Sequence, residues 1–182
     1  MSGIPDVSIL KRIGEVEGDD PDDTMLLGNL WAEASRYITS FRWCPKISDA
    51  YLAFGVGGVI GVFLVRLAET IGGTDDWLWI VSGDLPSAYF VLDNAADAEA
   101  ALTVYCRLME NWVEAVMAGR PLGDVFPISA APTVENARLL RARVDRLRSE
   151  LIPECRERTR LALEGARGGK SEAGDAERTG RS

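Results

Sequence analysis

Asp75, Asp76, Asp84 and Asp93 crowd the middle of this chain, and carboxylates in pairs can divide acid and base roles or hold a divalent cation. Each also has an ordinary structural use. Asp75-Asp76 reads as turn chemistry, and Asp84 stands where its side chain can cap its own turn. The chain has no histidine. That removes the side chain best suited to proton transfer near neutral pH and to transition-metal binding, and it excludes Ser-His-Asp and Cys-His catalysis. Cys44, Cys106 and Cys155 are odd in number and far apart, with no Cys-x-x-Cys spacing. Neither a metal site nor a redox pair is expected from them, and a reducing cytoplasm suits them.

Two glycine-rich motifs invite a nucleotide reading and fail on context. Gly55-Val56-Gly57-Gly58-Val59-Ile60-Gly61 puts Ile60 where the dinucleotide fingerprint needs its third glycine, and β-branched residues follow instead of a helix former. Gly165-Ala166-Arg167-Gly168-Gly169-Lys170-Ser171 approaches a phosphate loop, but its first glycine would fall on Glu164 and no strand precedes it. No cofactor is expected. The uncharged stretch between Asp49 and Arg66 is slightly short for a membrane span, and its glycines and β-branched residues favour a buried hairpin.

Trp77 and Trp79 lie two apart on one strand and therefore share a face, which Tyr89 and Val91 on the next strand are expected to join. Such a patch serves as core beneath a helix or, if uncovered, as a partner-binding surface. Arg138, Arg141, Arg143, Arg146 and Arg148 form a basic helix face on a chain of net charge -8. Its simplest use is a solvated face paired with Asp145, Glu150 and Glu154. The overall acidity opposes binding to phosphate backbones or anionic lipid, so neither nucleic acid nor membrane is expected as a partner.

The elements that must position these residues follow from periodicity. At 182 residues and 47% hydrophobic the chain suits one domain. Residues 1–23, acidic and poor in aromatics, read as a flexible arm without the features of a signal or transit peptide. A helix from Thr24, capped within Asp22-Asp23-Thr24, turns its Trp31 and Tyr37 side inward. Residues 50–65 form two strands joined at the glycines. After a Gly72-Gly73 turn come strands at 77–81 and 88–92, completing a four-stranded antiparallel meander. A helix spans Asp97 to Ala118 and stops at Gly119. An irregular passage over 120–132 holds Val125, Phe126 and Ile128. A last helix from Thr133 carries Ala137, Leu140, Val144, Leu147 and Leu151 as a narrow stripe until Pro153 kinks or ends it. The domain is placed at 24–163, with a disordered tail over 164–182.

The segment from Trp77 to Asp93, with Trp77-Leu78-Trp79-Ile80-Val81 and Gly83-Asp84-Leu85-Pro86, resembles an uncharacterised family of small bacterial proteins. So do Trp112-Val113, Phe126-Pro127-Ile128 and Pro132-Thr133, giving a likeness over roughly residues 25–153. The resemblance implies a shared fold and a role for Gly83-Asp84-Leu85-Pro86. It brings no activity and no catalytic residue.

The sequence thus points to an α+β domain, an antiparallel four-stranded meander packed with about three helices. Its expected work is that of a small cytoplasmic protein-interaction module, of immunity or regulatory type, with a protein partner or a second copy of itself. Trp77, Trp79, Asp84, Tyr89 and Asp93 are the candidate binding residues. The alternative is an enzyme using the carboxylates near Asp84 and Asp93, each tuned by its own environment.

Overall fold

A computed structural model describes residues 5–71 and 75–175. The centre is a five-stranded antiparallel sheet in the order β1-β2-β3-β4-β5, with β1 at Lys11–Arg12, β2 at Ile47–Val56, β3 at Ile60–Ile71, β4 at Asp75–Gly83 and β5 at Ala88–Val91. The fold is α+β, with one strand more than the expected meander. The extra strand lies inside the segment expected to be a free arm. It has no alternating pattern to announce it. Lys11 and Arg12 pair with Leu52 and Tyr51, and Arg12 reaches Asp49 at 2.9 Å.

The helices lie on both faces of the sheet because the strands are apolar on both sides. On β3, Phe63, Val65 and Leu67 face α1 (Pro21–Thr39), while Val62 and Leu64 face the opposite layer. Helix α1 begins at Pro21, earlier than its periodicity indicates, because Asp20 accepts the Asp23 N–H at 2.8 Å and proline suits the first turn. It buries Leu27, Leu30, Ala34 and Ile38. Full burial of each large aliphatic chain contributes about 1.5–3 kcal/mol. Trp31 and Tyr37, expected to point inward, sit half-buried on the two flanks of that stripe.

The other face is covered by α2 (Ala98–Met117), capped by the Asp97 carboxylate, and by a long helical path packed on α2. The β2–β3 hairpin turns at Gly57-Gly58 as the glycines indicate, whereas the proposed Gly72-Gly73 turn lies outside the described residues. Gly119 ends α2 with a φ of 63°.

Pro153 does not end the last helix. Between α3 (Val134–Arg146) and α4 (Ile152–Asp175), residues Leu147–Leu151 form one π-helical turn. A proline lacks the N–H that an α-turn would use, and the wider turn absorbs the mismatch. It also moves the apolar stripe. Ile152 and Cys155 are buried, while Leu151, expected in the stripe, is only half-buried. Helix α4 continues to Asp175, past the tail boundary drawn at residue 164. Its exposed surface is laced by Arg160 bonds to Glu157 and Glu164, which favour helix where no apolar period exists.

Candidate functional site

Register separates the residues that the sequence put on one face. Trp79 pairs with Phe90 and Ile80 with Tyr89, so Tyr89 and Val91 project toward α1, away from the tryptophans. Strand side chains alternate, so a one-residue difference in pairing reverses the face. Trp77 and Trp79 are core, at 7% and 2% exposure, beneath α2. The Trp79 indole Nε1–H donates to the Ala95 carbonyl at 2.9 Å, which fixes the ring and satisfies its polar atom.

The Gly83-Asp84-Leu85-Pro86 turn is a junction between layers. The Asp84 N–H donates to the Val59 carbonyl at 2.9 Å, and the Tyr105 hydroxyl donates to the Pro86 carbonyl at 2.7 Å. Arg143 donates to the Asp84 carbonyl and stands 3.5 Å from its carboxylate. Gly83 is required here: its φ is 148°, and a β-carbon would run into the Val59 carbonyl oxygen. Burial pushes the Tyr105 hydroxyl pKa far up, keeping it a donor.

Asp84 and Asp93 flank β5 at its two ends, and Asp93 lines neither of the clefts beside Asp84. The geometry does not bring this carboxylate pair together. Asp76 is tied to Arg66 at 3.4 Å, and the Asp75 side chain lies outside the described residues. The two buried thiols offer no ready nucleophile either, since burial pushes Cys106 up to about 11 and Cys155 up to about 12, and burial raises the half-buried Cys44 as well. Among the described residues no cluster of three or more acidic or thiol ligands is placed to hold a metal, and no helix is long and apolar enough to cross a membrane.

The arginine face is partly spent, on Glu150 as expected and otherwise on partners outside the expected set. Arg143 serves Asp84, Arg146 pairs with Glu150, and Arg148 makes a two-pronged bond to Glu110 at 2.6 and 2.7 Å. Glu154 is taken by Arg158, which also donates to the Gly55 carbonyl at 3.0 Å and lies over the Phe54 ring. Arg158 thereby borders a cavity of about 350 Å³ between β2, α4 and the N-terminal segment, walled by Leu10, Phe54, Leu64, Trp79 and Ala98.

What the structure does assemble is an aromatic cluster at the β5 edge of the sheet. Tyr89 is its hub, with ring centroids 5.0 Å from Trp43, 5.1 Å from Phe41, 6.2 Å from Tyr37 and 6.4 Å from Phe126. Phe41 stacks on Trp43 at 5.6 Å, and Tyr37 meets Phe41 edge-on. Trp43 is 39% exposed and the other rings are half-buried. Partial burial raises the Tyr37 hydroxyl pKa to about 12, so it stays protonated. Three elements converge here: the end of α1 with the loop after it, β5, and the proline-bearing passage at 120–132.

Of the sequence candidates, only Tyr89 belongs to this cluster. Phe41 and Trp43 escaped the sequence reading because they fall in a loop beyond the helical period. The available signal was two aromatics flanking an arginine, Phe41-Arg42-Trp43, in a segment with no apolar stripe to bury them. No family model, curated protein or solved structure matches this chain.

Proposed function

We propose that this chain is a small protein-interaction module that docks a protein partner, or a second copy of itself, through the aromatic edge beside β5. One observation carries the reading: Tyr89 and the four rings packed around it stay partly open to solvent, with Trp43 the most exposed. Aromatic side chains offer large rigid contact area at low entropic cost, and they are the residue types that dominate binding energy at interfaces. The free, unpaired cysteines suit work in the cytoplasm.

The test is affinity purification of the tagged chain from its native cells, beside a Trp43→Ala variant, with native mass measurement of both. The expected outcome is a stoichiometric partner or a homodimer held by the parent chain and released by the variant, with the variant's unfolding transition retained. A parent chain that runs as a lone monomer, or a variant that holds its partner equally well, overturns the reading.

A further inference from the structure

The aromatic edge continues into a groove along one flank of α1. Leu26, Asn29, Glu33 and Tyr37 recur at helical spacing on that flank, facing the Gly58 hairpin tip and the Gly83–Ser87 turn. Two clefts, of about 320 and 450 Å³, share Glu33, Gly83 and Asp84. From Leu26 to Tyr37 the helix rises about 16 Å at 1.5 Å per residue.

The groove has apolar ends and an acidic middle. At one end Leu26 is 37% exposed, beside Gly58 of the hairpin tip. At the other, Tyr37 leads into the rings around Tyr89. Between them stands Glu33, exposed and with no ion pair among the described residues. The Asp84 side chain is 66% exposed even with Arg143 beside it. Among the described residues no lysine or arginine lines either cleft.

We propose that this groove takes an extended segment of a partner protein in which a lysine or arginine sits between two apolar side chains. The cation meets Glu33 and Asp84, and the apolar chains settle on Leu26 and on Tyr37 with Tyr89. An extended chain advances about 3.3 Å per residue, so the two apolar anchors fall about five positions apart. Charge selects this occupant. A chain of net charge -8 steers a basic segment toward itself, whereas a second copy laid in the groove would bring more acid against Glu33 and Asp84.

This inference rests on the interaction reading above, and its test separates the two. A displayed library of random twelve-residue peptides is panned on the full chain, and an enriched peptide is labelled and titrated by fluorescence anisotropy. The enriched peptides are expected to carry arginine or lysine between apolar residues about five apart. Exchanging that cation for glutamate is expected to weaken binding at least about tenfold, and Glu33→Arg to reverse the preference. No enrichment, enrichment without a basic residue, or a preference unmoved by Glu33→Arg overturns the proposal. If a partner then still leaves with Trp43→Ala in the purification, the groove chemistry alone has fallen and the interaction reading stands.

Discussion

Two sets of aromatic residues lie on neighbouring strands and meet opposite fates. Trp77 and Trp79 on β4 are buried beneath α2, with the Trp79 indole held by the Ala95 carbonyl. Tyr89 on β5, paired with Ile80, projects the other way and gathers Tyr37, Phe41, Trp43 and Phe126 at an edge that α1 covers only in part. Residue type does not separate the sets. Register assigns the face, and the reach of the covering helix decides whether that face is core or surface.

Truncation should expose this difference most sharply. Trp79→Ala removes a fully packed ring and is expected to lower unfolding free energy by about 3–5 kcal/mol. Trp43→Ala removes ring contacts open to solvent and should cost no more than about 1.5 kcal/mol. Denaturant unfolding of both variants measures the contrast, and equal losses would erase the distinction between core and surface sets.

A smaller effect concerns the turn joining them. Gly83→Ala places a side chain at a φ of 148° against the Val59 carbonyl. A loss of about 1–3 kcal/mol is expected from such strain. An unchanged transition midpoint would mean that the turn between β4 and β5 is looser than its bonds to Tyr105 and Arg143 imply.

The smallest predicted effect sharpens the contrast from the helical side. Hydrogen bonds from Arg148 hold the Glu110 carboxyl below its ordinary pKa, so protonation favours the unfolded chain. The contribution is present above the ordinary carboxylate value of about 4.3 and fades as pH falls through the folded value. Glu110→Gln should therefore lose less stability than the parent chain between neutral and acid pH, by denaturant unfolding at each. Identical slopes would show that this exposed pair contributes nothing, as many surface pairs do.

The hairpin, the long α2 and the passage after Gly119 were legible because each rests on local signals: glycine at a turn, a 3.6-residue period, an aspartate cap. What the sequence concealed depends on neighbours distant along the chain. Strand β1 exists because Tyr51 and Leu52 offer an edge, and the side on which Tyr89 emerges depends on its pairing with Ile80. The aromatic cluster draws on three separated segments, none of which is periodic in Phe41 and Trp43. Glu33 has no local signal of its own, and only the turn at Asp84, which lines the same clefts, marks it.

The π turn at Leu147–Leu151 gives the last helix two independent phases. Buried positions step from Leu147 to Ile152, whereas an unbroken α-helix would repeat after three or four residues. A change of length confined to that turn would therefore act as a rotation, about 100° per residue, rather than as a lengthening. Helix α3 would keep its seat on α2 while α4 turned Cys155 out of the core and carried Arg158 away from the Gly55 carbonyl of β2.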